Sequence, residues 1–242
     1  MTQTLITIDL DGTLVDSVGD LHASVNDMQA QLGGAPRSVE QVRTWVGNGI
    51  DKLVHRAITD SMDEEVSRTE FPEALWRFRQ SYQRNNGTRS TVYPGVVKTL
   101  EHLRSNGYRL ICVTNKAAQF TLPLLKNLNI EHLFELTVSG DDLAEKKPHP
   151  AQLLHAATTF SIKPENCAHV GDSVSDIKAA RAAGFNCICV SYGYNHGQSV
   201  WDLTGDLKPD LVVDQFDELI AHWAESVLPD STAHNSGQNQ TT

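Results

Sequence analysis

The sequence predicts an α/β protein built on a parallel β-sheet, and three features carry this prediction. An apolar run at residues 5–10 is rich in β-branched residues and is typical of a buried strand. From about residue 95 onward, short apolar runs alternate with helical patterns, which indicates parallel strands joined by crossover helices. Between these parts, residues 17–90 carry helical patterns without a convincing strand. We therefore expect an all-helical segment inserted after the first strand.

The first predicted strand ends in two carboxylates, Asp9 and Asp11, followed by Gly12, where the backbone can turn sharply. A buried carboxylate is costly without a cation or a proton, and open α/β sheets bind ligands at the carboxyl ends of their strands. A hairpin turn at Asp11 and Gly12 is the alternative, but it requires a second alternating strand. Helical spacing follows instead, with Asp16 or Ser17 placed to cap the helix.

The inserted segment is predicted to be a small helical bundle. Ser38 and Gln41 have capping-box spacing before one helix, and further helical patterns run through residues 50–58 and 71–82. Residues 47–49, Gly-Asn-Gly, interrupt the chain before one of these helices. Free backbone N–H groups at such a helix start suit an anion. A plain turn between two helices is the alternative for this loop.

The rest of the chain alternates strand and helix up to about residue 227. Gly107 and Gly184 suit helix C-termini, Pro150 suits a first helical turn, and Pro123 either kinks a helix or lies near its start. Residues 228–242 are rich in small polar residues and lack periodicity, which predicts a disordered tail. The strands after the inserted segment are predicted at residues 110–113, 134–138, 168–170, 187–190 and 211–213.

Composition narrows the functional classes. The chain has 242 residues, of which 40% are hydrophobic, and a net charge of −10, which argues against a generic nucleic-acid binder. No apolar run is long enough to span a membrane, and no signal peptide is visible. The four cysteines lie in strand-like runs without a zinc spacing, so we expect reduced thiols in a cytoplasmic protein. The sequence leaves both a monomer and a homodimer open.

Four polar motifs stand at the ends of predicted strands, and their order is specific although each motif is weak alone. In this order they resemble the haloacid dehalogenase superfamily, in the branch with a helical cap between the first and second motifs. The resemblance covers about residues 4–222. The motifs are Asp9 to Thr13 (DLDGT), Thr114 with Asn115, Lys147 with Pro148, and Gly171 to Ser173 (GDS) with Asp176.

The resemblance implies a fold and a division into domains. The fold would be a Rossmann-like parallel sheet with helices on both faces, plus an inserted all-helical cap domain. Residues 1–16 and 91–227 would form the core phosphatase domain. Residues 17–90 would form the cap, and residues 228–242 the tail.

Family roles are expected at the positions that match. Asp9 resembles the nucleophile that takes the phosphoryl group, and Asp11 resembles the general acid and base. Thr114 and Asn115 resemble the phosphate-holding second motif, and Lys147 the lysine of the third. A carboxylate nucleophile would give an aspartyl-phosphate and split one difficult step into two. Dehalogenase relatives lack an acid at the position of Asp11, whereas an alkoxide leaving group needs its proton, so a phosphatase is favoured over a dehalogenase.

The resemblance also implies a Mg²⁺ site. Asp172 resembles the metal-binding acid of the fourth motif, and Asp9 and the main-chain carbonyl of Asp11 would complete the protein ligands. Asp176 is expected to orient Lys147 or the groups around the metal. Mg²⁺ favours few carboxylates together with phosphate oxygens and water, which suits this set.

Within the branch, the sequence resembles the bacterial phosphoglycolate phosphatases. The resemblance implies hydrolysis of a small anionic phosphoester, 2-phosphoglycolate, to glycolate and phosphate. Close relatives cleave other small phosphoesters, so a sugar phosphate or pyrophosphate is the alternative, and a non-catalytic phosphate-sensing protein is a third hypothesis. The matching segments are residues 44–49, 113–116, 140–142, 146–150 and 192–195.

The cap loop supplies the candidate specificity residues, Gly47, Asn48 and Gly49. Lys52 on the following helix is a further candidate, although an exposed lysine is usually solvated. Related sugar-phosphate mutases carry an arginine near this loop for a second phosphate. Isoleucine and aspartate follow the loop here, which disfavours a mutase.

Overall fold

The structure, a computed structural model that describes residues 4–225, is built on a parallel sheet with helices packed against it. Its strands are β1 (Leu5–Ile8), β2 (Val15–Asp16), β3 (Thr91–Val92), β4 (Arg109–Val113), β5 (Leu136–Val138), β6 (Cys167–Gly171), β7 (Asn186–Val190) and β8 (Leu211–Val213). Six of them form one sheet in the order β5-β4-β1-β6-β7-β8, with parallel pairing throughout. The predicted fold class is confirmed.

The helices follow the predicted distribution along the chain. Those before β3 are α1 (Val18–Leu32), α2 (Val39–Trp45), α3 (Ile50–Thr59) and α4 (Phe71–Asn85). Those after it are α5 (Val96–Ser105), α6 (Ala118–Asn127), α7 (Ala151–Thr159), α8 (Val174–Ala183) and α9 (Glu218–Glu225). We call α1 to α4 the helical insert, because they lie between β2 and β3. Strands β2 and β3 were not predicted; they pair antiparallel as a two-stranded ribbon at the two ends of the insert.

Side chains of β1 alternate between two apolar clusters, one on each face of the sheet. Ile6 and Ile8 pack with residues of α5, α6 and α9, whereas Leu5 packs with residues of α7 and α8. This alternation is what a strand buried on both faces requires. Helices therefore cover both faces of the sheet, as predicted.

The helical insert has an apolar cluster of its own. Val25 and Met28 of α1 and Phe78 of α4 are fully buried in it. The cluster also contains Phe120 of α6 and Tyr194 from the loop after β7. These two residues place the insert against the sheet at its carboxyl-end edge.

Most of the local sequence signals are found where they were predicted. Ser38 and Gln41 form a reciprocal capping box at α2, and Gly184 ends α8 in the left-handed conformation. Pro123 lies inside α6. Ser17 is the N-cap residue of α1, but its hydroxyl makes no capping bond, because it donates to Asp11 instead.

Three further predictions concern membrane-spanning segments, the cysteines and the C-terminal tail. Among residues 4–225, no helix combines the length and apolar character that crossing a membrane requires. All four cysteines are buried and free, as expected. The predicted tail at residues 228–242 lies outside the described residues.

Candidate active site

A pocket lies where the carboxyl ends of β1, β4 and β6 face the start of α3. The strand order β4-β1-β6 brings these three ends side by side, although they are far apart in the sequence. The predicted motifs therefore converge on one cavity between the sheet and the helical insert. Its lining includes Asp9, Asp11, Thr114, Asn115, Lys116, Lys147, Asp172, Asp176, Gly47 and Gly49.

Lys147 lies between two buried carboxylates. Its Nζ atom is 2.7 Å from Asp9 Oδ1 and 2.7 Å from Asp176 Oδ1, and it donates to the carbonyl oxygen of Val113 at 2.9 Å. Burial opposes the charge on this ammonium, but Asp176 and Asp9 outweigh it and hold the pKa of Lys147 above its ordinary value. The backbone of Asp9 is fixed by its N–H, which donates to the Val170 carbonyl at 2.9 Å. The ion pairs of Lys147 and the backbone hydrogen bond of Asp9 thus position both side chains before any substrate binds.

Asp9, Asp172 and Asp176 form a buried carboxylate cluster. One oxygen of each lies within 4.8 Å of the others, an arrangement that could hold a metal ion. Burial raises the pKa of Asp9 to about 7, with Lys147 opposing and Asp176 adding to the rise. Burial and the neighbouring carboxylates Asp176 and Asp9 likewise raise the pKa of Asp172 well above its usual range. Three carboxylates share one lysine, so the cluster can ionise fully only beside a further cation, and its oxygen atoms suit a divalent metal ion.

The carboxylate of Asp11 points to a different partner. Lys116 Nζ lies 2.9 Å from Asp11 Oδ1 and 2.7 Å from Oδ2, and the Ser17 hydroxyl donates to Oδ1 at 2.5 Å. The buried metal cluster contains Asp176 rather than the Asp11 side chain. The predicted metal role of Asp11 involves its main-chain carbonyl and stays a prediction.

Two glycines allow the close packing around Asp172. The Tyr194 N–H donates to Asp172 Oδ2 at 2.6 Å. A Cβ atom at Gly193 would lie 2.1 Å from the Cβ of Asp172, and one at Gly12 would lie 2.4 Å from Asp172 Oδ2. Gly12 also has a φ of +88°, a conformation that side chains disfavour. Both positions therefore require glycine for the carboxylate to reach the pocket.

Tyr194 also connects Asp172 to the start of the helical insert. Its hydroxyl accepts from the N–H groups of Ser17 and Val18 at 2.8 and 3.1 Å, and it donates to Asp16 Oδ1 at 2.8 Å. No role for Tyr194 was assigned from the sequence beyond its place in a matching segment. The bond spans 178 residues of sequence, so no local pattern indicates it.

The second-motif residues lie on the pocket wall. Thr114 is buried, and its hydroxyl accepts from the Lys116 N–H at 3.1 Å. The Asn115 amide donates to the Lys147 carbonyl at 2.9 Å and to the Gly47 carbonyl at 3.3 Å. Asn115 thus bonds both to the third motif and to the loop of the helical insert.

The loop at residues 47–49 contributes its two glycines to the pocket lining. Asn48 is not in that lining, because its side-chain oxygen accepts from Arg56 Nη2 at 2.9 Å. Arg56 also donates to the Trp45 carbonyl at 2.6 Å. Arg56 was not predicted, since it lies in a helical pattern without a motif. Its guanidinium holds the loop and is not in the pocket lining.

The chain belongs to the haloacid dehalogenase-like hydrolases, because the model of that family matches residues 4–184. Within the family, it is similar to a phosphoglycolate phosphatase of Nitrosococcus oceani, with 51% identity over 215 residues, 89% of this chain and 94% of the relative. Phosphoglycolate phosphatase 1 of Pseudomonas aeruginosa is 41% identical over 238 residues, 97% of this chain and 86% of the relative.

A solved structure shows the same similarity. The crystal structure of a predicted phosphoglycolate phosphatase from Haemophilus somnus has a TM-score of 0.84 and 36% identity, and the match covers 92% of this chain and 99% of that one. The predicted family and the prediction of a phosphoric monoester hydrolase are therefore confirmed.

Proposed function

We propose that this protein hydrolyses 2-phosphoglycolate to glycolate and phosphate through an aspartyl-phosphate on Asp9. The observation that carries the proposal is the position of buried Lys147, which contacts Asp9 and Asp176 in the pocket that also holds Asp11. Relatives named phosphoglycolate phosphatases, similar to this chain over most of its length, support the choice of substrate.

In the first step, a carboxylate oxygen of Asp9 forms a bond to phosphorus while the bond from phosphorus to the glycolate oxygen breaks. Lys147 stabilises the charge on the transferring group, and the Thr114 hydroxyl and the main-chain N–H of Asn115 hold its oxygens. Asp11 gives its proton to the departing glycolate oxygen, because an alkoxide is a poor leaving group. The products of this step are glycolate and the aspartyl-phosphate.

In the second step, Asp11 removes a proton from a water molecule as the water oxygen attacks phosphorus. The bond between phosphorus and the Asp9 oxygen breaks, which releases phosphate and restores the carboxylate. Asp11 thereby regains the proton that it gave to glycolate in the first step. One residue therefore acts as acid and then as base.

Asp9, Asp172 and the main-chain carbonyl of Asp11 are the proposed ligands of Mg²⁺, with Asp176 in the same cluster. When bound, Mg²⁺ would neutralise carboxylate and phosphate charge, so that two anions can approach each other. The oxygen-only donor set favours a hard cation such as Mg²⁺ over a softer metal.

Removal of divalent metal is expected to destabilise the protein more at high pH than at low pH. The pKa of Asp9 is raised from 3.8 to about 7, so the metal-free protein loses stability as the pH rises through this range and the buried carboxylate ionises. A bound cation compensates that charge. MgCl₂ should therefore raise the unfolding temperature more at about pH 8 than at about pH 5.5, measured against EDTA. An equal rise at both pH values would contradict the proposed site, and Asp172→Asn should diminish the rise.

We further propose that residues 17–90 act as a cap that opens to admit substrate and closes to exclude water. The hinges would lie near Asp16 and Ser17 on one side and residues 93–95 on the other. The ribbon of β2 and β3 lies beside both hinges. Asn115 and Gly47 contact each other across the pocket, which supports a closed arrangement.

A panel of small phosphoesters tests the substrate. Phosphate release is measured with 2-phosphoglycolate, sugar phosphates and pyrophosphate, each with MgCl₂ or EDTA. We expect the highest kcat/KM for 2-phosphoglycolate and no release in EDTA. Comparable values for many sugar phosphates would instead support the alternative of a broader small-phosphoester hydrolase.

We also infer that the protein is cytoplasmic and acts on a small anionic substrate without nucleic acid or membrane. Its four buried, free cysteines and net charge of −10 support this inference. A monomer and a homodimer are both compatible with a pocket formed within one chain.

A further inference from the structure

We propose that Lys116 binds the carboxylate of the substrate and so sets the preference for 2-phosphoglycolate over phosphoesters without a carboxylate. The inference rests on the proposed function, because a carboxylate site matters only for a substrate that carries one. Two of the lining residues carry positive charge, Lys116 and Lys147, and four carboxylates accompany them.

Lys147 belongs to the phosphate end of the pocket. Its ammonium contacts Asp9, Asp176 and the carbonyl of Val113, so three acceptors already surround it. The phosphorus atom must lie beside Asp9 for the attack. The substrate carboxylate is separated from phosphorus by an oxygen and a methylene group, and it therefore needs a second cation.

Lys116 is placed beside the part of the substrate that carries the carboxylate. Its ammonium contacts both oxygens of Asp11, at 2.9 and 2.7 Å. Asp11 must reach the bridging oxygen of the substrate to protonate it, and the carboxylate carbon is two bonds from that oxygen. A cation in contact with Asp11 is thus within reach of the substrate carboxylate.

The surroundings of Lys116 strengthen its attraction for an anion. Its side chain is 3% exposed, and the ring centroid of Tyr82 lies 5.1 Å from Nζ. Burial opposes its charge, but the Asp11 carboxylate and the Tyr82 hydroxyl outweigh it and raise the pKa of Lys116 above its ordinary value. A charged, water-excluded ammonium forms strong hydrogen bonds to carboxylates. The start of α3 faces the same pocket and adds partial positive charge.

Other cations of the helical insert and the pocket rim fit this role less well. Lys52, the candidate from the sequence, pairs with Glu65 at 2.7 Å, and both side chains are exposed. The Arg56 guanidinium holds the loop at residues 47–49. Lys146 lies beside that loop, since a Cβ atom at Gly49 would be 2.8 Å from its Nζ, but Lys146 is exposed and is not in the pocket lining.

The test compares kcat/KM for 2-phosphoglycolate and ethyl phosphate, in which a methyl group replaces the carboxylate. Lys116→Gln keeps a donor for Asp11 and removes the charge. We expect it to lower the preference for 2-phosphoglycolate over ethyl phosphate by about 10- to 100-fold. Lys52→Gln is the matched control. Lys146→Gln tests whether the exposed lysine beside the loop at residues 47–49 binds the substrate carboxylate instead. Each should change the preference by less than about threefold.

The outcomes separate this proposal from the proposed function. If the wild-type enzyme does not prefer 2-phosphoglycolate over ethyl phosphate, the proposed substrate is wrong, whatever the variants show. A second outcome is that the wild type shows the preference while Lys116→Gln lowers kcat/KM for both substrates by the same factor. In that case Lys116 acts only by positioning Asp11, and the proposal is overturned. A loss of preference in Lys146→Gln alone would overturn it as well.

A second measurement does not depend on the folding of the Lys116 variant. In the substrate-free pocket the Asp11 carboxylate pairs with Lys116 and competes for it with a substrate carboxylate. Asp11→Asn removes this competing charge, while the nearly identical amide keeps the local shape. Titration calorimetry with MgCl₂ present compares Asp9→Asn, which does not hydrolyse the ligand, with the same variant after Asp11→Asn is added. The second change should tighten binding of 2-phosphoglycolate by about threefold or more and leave binding of ethyl phosphate unchanged. Equal changes for both ligands would overturn the assignment of the carboxylate to Lys116.

Discussion

Asp9→Asn is expected to lower phosphate release from every phosphoester to the background rate, a loss of about 10⁴-fold or more in kcat. An amide oxygen is a far weaker nucleophile than a carboxylate, so the bond to phosphorus does not form. Neither neighbouring carboxylate is free to replace Asp9 as the nucleophile. Asp176 contacts Lys147 and His169, and Asp172 accepts from the Tyr194 N–H. Steady-state phosphate release, normalised to folded protein, measures the loss.

Trapping with beryllium fluoride tests the same residue without turnover. Beryllium fluoride binds a nucleophilic carboxylate as a mimic of the phosphorylated state. Fluorine NMR should show a bound species in wild-type protein with MgCl₂, and no such species in Asp9→Asn. Asp11→Asn is the matched control, since it removes a carboxylate from the same pocket and should still form the complex. A bound signal of equal intensity in Asp9→Asn would show that another group is the nucleophile.

The motif positions could be predicted from the sequence because each follows from a strand end. Asp9, Thr114 and Asp172 come directly after buried apolar runs, and parallel strands place their carboxyl ends at one edge. The sequence signals for the helical insert were also local, such as the capping box at Ser38. Only the pairing order, β4-β1-β6, had to come from the structure to bring these residues together.

The partners of the motif residues could not be predicted in the same way. Lys116 and Asp11 are 105 residues apart, and Tyr194 and Asp16 are 178 residues apart. No periodicity connects such pairs, because each contact depends on how distant loops pack. Lys116 directly follows Thr114 and Asn115 and lies in the matching segment 113–116, and these were the signals available for it. Arg56 had no comparable signal.

The ribbon of β2 and β3 was missed for a different reason. Each strand has two residues, Val15–Asp16 and Thr91–Val92, which is too short for an alternating pattern to be seen. The ribbon pairs Val15 with Val92 and Asp16 with Thr91 at the two ends of the helical insert. The two segments that connect the helical insert to the rest of the chain are therefore paired with each other.

Asp11→Asn is expected to lower kcat for 2-phosphoglycolate by about 10²-fold or more, because one group supplies the acid and then the base. The fold should be kept, since the amide matches the shape of the carboxylate and can still accept from Lys116 and Ser17. Asp210→Asn is the matched control. Asp210 is an exposed carboxylate that pairs with Arg181 and is absent from the pocket lining, so its loss should leave kcat unchanged.

The leaving group separates the two roles of Asp11. Nitrophenolate departs without a proton, so Asp11→Asn should still transfer the phosphoryl group of p-nitrophenyl phosphate to Asp9 and then stall, because no base activates the water. Rapid mixing should show a burst of about one nitrophenolate per active site followed by slow turnover, whereas 2-phosphoglycolate should show no burst. A full steady-state rate with p-nitrophenyl phosphate would contradict the role as base. A burst of glycolate would contradict the role as acid.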